Sequence, residues 1–294
     1  MSTLFAYVYW NLMHADLGGR LSITLASDEE TGMGRGTGYM LEQIESDTVA
    51  DYVLSAEPSG TDAITFSSKG YLQFAVEVTT RGSISGYPNA SSSAIHIALD
   101  IVRDLLVLEE TKVDLPTSIA DRLAVPEFRD WLDSTYGKGS ADVIPAVSVN
   151  IGIIKGGCSP TVIASNCTFE VTVVMPVGLD PRAVFKEASE IIARYPEAQV
   201  HLEGADAGDI SDPEYEMAGI LQRTVMELGW VQPQIVPDVA ISDLRYWRYR
   251  GIPGFWYGPD GAQVSAANES VPIEELFHLV RTYVLASYEY LHKL

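Results

Sequence analysis

Three consecutive carboxylates, Asp28, Glu29 and Glu30, end the apolar run in Ile23–Gly36 (ITLASDEETGMGRG), and a glycine-rich stretch follows them. A strand that delivers acids to a turn can build a metal site or a general acid–base pair. Adjacent carboxylates in a shielded pocket also push one pKa upward into a useful range. The competing expectation is a solvated acidic turn that caps a helix, because anions are favoured at helix N-termini. A further acidic candidate, Glu57, precedes Pro58 in AEPSG. His96, His201, His278 and His292 show no ligand spacing and read as packed or surface histidines. Cys158 and Cys167 have no metal-ligand spacing either. They flank a turn and are expected as small buried thiols, with no histidine placed to activate them.

The elements that must position these residues show in the hydrophobic pattern. Residues 2–14 are apolar nearly all round, which predicts a helix buried on most sides. Leu21–Ala26 reads as a buried strand, Thr37–Ile44 as a helix, and Asp51–Ser55 and Ala63–Ser67 as short strands. YLQFAVEV alternates Leu72, Phe74, Val76 and Val78 against Gln73 and Glu77, the period of a half-buried strand. A helix is expected over 91–110, with Ala94, Ile97, Ile101 and Leu105 as its stripe and serines to cap it. Two further alternating strands carry Val147, Val149, Ile151 and Ile153, then Phe169, Val171, Val173 and Met175. Asp180-Pro181 opens a helix with Val184, Ala188, Ile191 and Tyr195 inward, in the favoured cap-then-proline order. QVHLE returns as a strand. Strand–helix–strand–strand–helix–strand is the split βαβ arrangement of a ferredoxin-like sandwich. It occupies residues 69–203, so 1–68 and 204–294 are expected to fold together as one interrupted α/β domain. The last flank adds a helix over 213–228, the strand PQIV, a short helix after Ser242, the strand IPGFWY and a long helix from Ile273.

The 294 residues carry 19 Lys+Arg against 40 Asp+Glu, a formal net charge of −21. Such a surface argues against nucleic acid and anionic membranes as partners, since both need clustered cations. Two cysteines are too few for a disulfide framework, and a reduced, cytoplasmic setting is the default. The N-terminus lacks a basic leader and a cleavage pattern, so neither a signal peptide nor a membrane span is expected.

SDEETG, AEPSG, KGYLQFAVEVTTRGSISGYP, VNIGIIKGGCSP, ISDLR and GPDGAQVSAANESVPIEEL occur in that order. The order resembles that of the zinc aminoacylase, acetylornithine deacetylase and succinyl-diaminopimelate desuccinylase family of metallopeptidases, over essentially the whole chain. The resemblance implies an aminopeptidase-like α/β catalytic domain with two metals, interrupted by a ferredoxin-like lid or dimerisation domain. By position, Glu29 matches the general base, Glu30 a ligand of one metal and Glu57 a ligand of the other. The two cations would polarise an amide carbonyl and acidify a bridging water.

The departures carry as much weight. The family's histidine–any residue–aspartate motif and its bridging aspartate fall upstream of residues 2–14. His14-Ala15-Asp16 has the right letters but stands too close to Glu29 and reads as coincidence. The last histidine ligand falls on Ser265 and the lid histidine on Ile84. Thr161 stands where an asparagine meets substrate, and Met175 where an arginine sits. Arg245 and the Gly258-Pro259 loop are retained. The resemblance is therefore to an N-terminally shortened member with a degenerate metal site, and no cofactor is expected.

Two functions from different classes follow. The first is a repurposed, metal-independent enzyme acting on an acylated, amide-containing or carboxylated small molecule. Glu29 and Glu30 would be catalytic, with Glu57, Arg245, Gly258, Pro259, Ser265 and Thr161 binding substrate. The second is a non-catalytic partner subunit; a zinc amidohydrolase completed by a separate chain is a third possibility. A homodimer is expected through the lid, using residues 91–110 and the strand near Tyr87.

Overall fold

The computed structural model describes residues 18–26, 35–43, 50–261, 263–264 and 266–292. The helix expected over 2–14 lies outside them. The chain divides into two compact units, Lys69–Gly208 and Met1–Ser68 with Asp209–Leu294. The second begins, among described elements, with α1 (Arg35–Gln43), β1 (Val53–Ser55) and β2 (Ala63–Ser68). Leu21–Ala26, expected as a buried strand, is not one: it has no strand pairing, and Leu25 is 64% exposed. An apolar run becomes a strand only when a neighbouring backbone takes its hydrogen bonds, and no described strand pairs with this one.

The inserted unit follows the alternation closely. It contains β3 (Gly70–Thr79), β4 (Ser83–Ile84), α2 (Ala94–Leu105), α3 (Thr117–Leu123), α4 (Pro126–Tyr136), α5 (Ser140–Val143), β5 (Ser148–Gly156), β6 (Val162–Ile163), β7 (Asn166–Met175), α6 (Pro181–Ile192) and β8 (Ala198–Asp206). Its main sheet has the antiparallel order β5-β7-β3-β8, and β4 pairs with β6 in a separate ribbon. Leu72, Phe74, Val76 and Val78 of β3 and Phe169, Val171, Val173 and Met175 of β7 form one core with α2 and α6. Met175, where the family resemblance places an arginine, is fully buried there.

Ser93 caps α2 by accepting from the His96 amide, and Asp180 caps α6 by accepting from the Arg182 amide at 2.9 Å. The expected helix over 91–110 starts at Ala94 and tightens into a 3-10 turn over Leu106–Glu110. Ala98 takes the central place on its buried stripe, with Ile97 only partly buried at the edge. Ile153, expected inward, is 41% exposed. The ladder with β7 shifts between Ile151 and Ile153, and a bulge at Gly152 turns the following side chains over. Cys167 is buried as expected, but Cys158 is exposed, since it lies in the turn beyond the end of β5 where no layer covers it. The helices α3 to α5 were not expected, although Pro126 at the start of α4 and Gly137 at its end, with φ of 103°, are ordinary helix punctuation. β8 runs past the expected limit at 203 to Asp206.

The chain then re-enters the interrupted unit through β9 (Asp209–Ile210), α7 (Glu216–Glu227), β10 (Gln234–Pro237), α8 (Arg245–Arg248), β11 (Gly254–Trp256) and α9 (Ile273–His292). The sheet order is β1-β11-β2-β10, with β9 on β2. β1 and β11 are parallel, β11 crosses to β2 antiparallel at Trp256–Thr65, and β10 runs parallel to β2. Every residue of β2 is buried, as expected for a central strand covered on both faces. Cross-strand partners share a face. Leu54, Phe255, Ile64 and Phe66 therefore lie on one side, and Ser55, Trp256, Thr65 and Ser67 on the other. No helix among the described residues is long and apolar enough to cross a membrane.

Candidate functional site

The polar face of that sheet leads to Glu57. The C-terminal ends of the parallel strands β1 and β11 lie side by side, and the loops that leave them touch. In open α/β sheets such strand ends are the usual place for ligands. Gly258 follows β11, and a Cβ on it would come 1.8 Å from the Glu57 carbonyl oxygen, so only glycine allows this approach. The Gly258 amide donates to Ser59 Oγ at 2.9 Å, and the Gly60 amide to the Pro259 carbonyl at 3.0 Å. AEPSG and GPDG are thus one structural unit built from two distant segments.

The Glu57 carboxylate is half-buried and held by hydroxyls. Ser242 Oγ donates to Glu57 Oε1 at 2.7 Å, and Ser55 Oγ lies 3.4 Å from the same oxygen. Ser242 is fully buried, and its carbonyl accepts from Arg245 Nη1 at 2.9 Å. Arg245 is 1% exposed, lies over the Tyr246 ring at 4.5 Å and stands 3.5 Å from Asp243 Oδ1. Its guanidinium braces the Ser242 turn from within. Asp243 Oδ2 in turn accepts from the Thr37 hydroxyl, which docks α1 against this turn. From behind, Tyr283 of α9 brings its hydroxyl within 2.5 Å of the Ser55 carbonyl and 2.6 Å of the Tyr257 carbonyl. Burial first, and the nearby Tyr257 and Glu57 as well, raise the Tyr283 pKa and keep the phenol a donor.

The floor is polar. Thr65 Oγ1, Ser67 Oγ and Trp256 Nε1, all on the Ser55 side of the sheet, are buried without a hydrogen-bond partner among the described residues. Buried polar groups are nearly always satisfied, so such a cluster marks a place where the sheet is not built for packing alone. Behind it Arg248 makes a buried ion pair with Asp209 at 2.6 Å and also bonds the Ser68 and Ser211 hydroxyls and the Gly254 carbonyl. Burial pushes the Asp209 carboxyl up, and the Arg248 guanidinium opposes that shift.

Glu57, Gly258 and Pro259 are therefore brought together, with Arg245 one layer beneath. Glu29, Glu30 and Ser265 lie outside the described residues. Thr161 belongs to the inserted unit, where its exposed hydroxyl meets Ser159 Oγ at 3.0 Å. Ile84, in β4, is 57% exposed. Ser242 and Ser55 were not singled out from sequence. The signal was available in Ser242, which shares ISDLR with Arg245. Among the described residues no three His, Cys, Asp or Glu side chains converge as a metal-holding group. A single carboxylate whose Oε1 already takes a hydroxyl proton does not by itself fit a two-zinc centre.

Residues 66–199 match the M20 peptidase dimerisation domain. The chain is 22% identical over 276 residues to a succinyl-diaminopimelate desuccinylase from Nitrosomonas eutropha, covering 93% of this chain and 67% of the relative. It is 25% identical over 269 residues to an acetylornithine deacetylase from Myxococcus xanthus, covering 87% of this chain and 61% of the relative. An M20 family metallo-carboxypeptidase from Sulfolobus solfataricus shares the fold, with a TM-score of 0.71 at 13% identity, over 88% of this chain and 68% of that one. The chain thus spans about two thirds of the length of these relatives.

Proposed function

We propose that this relative of the succinyl-diaminopimelate desuccinylase and acetylornithine deacetylase family is a deacylase-like enzyme acting on an N-acylated or amide-containing carboxylic acid. The observation that carries the reading is the Glu57–Ser242 clasp, closed by the Gly258 loop at the ends of paired parallel strands. A purely structural subunit has no need of a carboxylate held by buried hydroxyls, because polar burial costs stability unless it is used. Glu29 acts as the acid–base: it takes a proton from the attacking water and returns it to the amine as the amide C–N bond breaks. Glu30 assists by raising the Glu29 pKa through like charge. Glu57, Gly258, Pro259 and Ser265 form the substrate-binding set, and Arg245 positions Glu57 by bracing the Ser242 turn from beneath. The reaction runs without a two-zinc centre, a reading supported by Ser265 and Ile84 at positions where the family resemblance places histidines. The working form is a homodimer, supported by the dimerisation-domain match.

The test is turnover of a panel of N-acyl amino acids, with metal content measured on the same preparation. Glu29→Gln is expected to lower turnover by about 10²–10⁴-fold with the fold intact. Elemental analysis is expected to find well under one zinc per chain, and chelator to leave turnover unchanged. Two tightly bound zinc ions per chain would overturn the metal-independent reading. Full activity of the Glu29 variant would remove that residue from the chemistry.

A further inference from the structure

A cavity of about 290 Å³ lies where the end of α7 meets the first turns of α9 and is lined by Leu228, Trp230, Glu274, Phe277, His278 and Arg281. His278 sets its chemistry. The side chain is 3% exposed, and Trp230 stacks on its ring at a centroid distance of 4.1 Å. His278 Nε2 lies 2.7 Å from the Tyr257 hydroxyl oxygen. That hydroxyl has one proton and donates it to the Thr61 carbonyl at 2.8 Å. The Nε2 atom must then carry the imidazole proton and donate to Tyr257, which leaves Nδ1 as a bare acceptor. Nδ1 is buried and has no hydrogen-bond partner among the described residues. Burial first, and the Arg281 charge second, lower the His278 pKa to about 4, so the ring is neutral near pH 7.

Glu274, Phe277, His278 and Arg281 recur at three- and four-residue spacings and so share one face of α9. Arg281 is exposed and makes no ion pair among the described residues. The cavity therefore offers a lone acceptor, aromatic walls and a cation within a few residues of one another.

We propose that this cavity binds a small planar aromatic monocarboxylate that carries a ring N–H or O–H. The ring lies against Trp230 and Phe277, the donor reaches His278 Nδ1, and the carboxylate pairs with Arg281. Phe277 lines the same cavity and is 63% exposed, and binding requires the cavity side chains to shift so that the donor meets the buried nitrogen. Glu274, on the same helix face two turns before Arg281, disfavours a second acid group. The volume stands at the lower bound of ligand pockets, roughly 300–1,000 Å³, which limits the ligand to one ring or a fused pair with a short acid arm.

Indoleacetate is a suitable probe, compared by titration calorimetry on the full chain with its N-methyl analogue, which lacks the donor. Saturable binding is expected. Loss of the N–H and, separately, Arg281→Gln should each weaken it about ten-fold or more, the range for hydrogen bonds to charged or buried groups. Arg281 is on the surface, so its replacement leaves the fold in place. No saturation below about 10 mM, or an affinity indifferent to either change, would overturn the proposal. Turnover does not enter the experiment, so its outcome is independent of the function proposed above.

Discussion

The two units solve the same packing problem with different materials. In the inserted unit the sheet and its two capped helices meet through an apolar core, and Lys69 is its single buried charged or polar side chain among those described. In the interrupted unit the core is shot through with polar groups: Ser59, Thr65, Ser67, Ser68, Asp209, Ser211, Ser242, Arg245, Arg248, His278 and Thr282. An apolar core stabilises without needing exact partners, whereas each buried polar group must be matched or it costs. The difference teaches where the molecule spends stability, and the spending coincides with the Glu57 site. Two of the buried cations, one from each unit, make the same contrast. Arg248 has a carboxylate partner, while Lys69 has only the Val143 and Ala146 carbonyls, at 2.8 and 2.5 Å.

The largest expected effect tests the polar core. Asp209→Ala leaves the Arg248 guanidinium buried and uncompensated, and should destabilise the protein by about 3–5 kcal/mol in denaturant unfolding. Replacing both partners with apolar residues, Asp209→Leu with Arg248→Met, should recover much of that loss. If the single variant is as stable as the parent, the contrast between the units fails.

The second effect belongs to Lys69. Burial lowers its pKa from 10.5 to about 8 in the folded protein. Between those values the unfolded chain binds the proton and the native chain does not, so native stability rises with pH across that window. Below pH 8 both states are protonated and the cost of the buried charge is fully present. The rise should reach no more than about 3 kcal/mol. Lys69→Met should lack this slope, which comparison of the two unfolding curves at several pH values would reveal.

The smallest effect probes the apolar unit at its surface. Asp180→Ala removes the side-chain cap of α6 and should cost about 1 kcal/mol, read as a shift of the unfolding midpoint. A loss as large as that of Asp209→Ala would mean the inserted unit depends on polar contacts as heavily as its neighbour.

The contrast also explains what the sequence could disclose. Period-two alternation marks a sheet with one dry face, so the inward residues of β3 and β7 were legible one by one; the stripes of α2 and α6 were legible except at Ile97, which is only partly buried, and Tyr195, which lies beyond the end of α6. The reversal at Ile153 was not, because a bulge depends on the register with β7. In the interrupted unit, Glu57, Gly258 and Pro259 were picked out through motif order. Their mutual contact was invisible, since it joins segments far apart in the chain. The Arg248–Asp209 pair was missed for a related reason: isolated charged residues read as surface until tertiary structure surrounds them. Leu21–Ala26 failed the other way, as an apolar pattern with no described strand to pair with it.

The close approach of Gly258 to Glu57 has a consequence for how the chain comes into being. β1 and β11 are neighbours in the sheet, yet β11 is made about two hundred residues later, after the whole inserted unit. During synthesis the inserted unit leaves the ribosome complete and can fold first, while β1 waits without the strand that flanks it. The site is therefore a late product of translation. A nascent chain stalled before Gly254 would hold a finished inserted unit and an unfinished pocket, with the edge of β1 open to chaperones or to other chains.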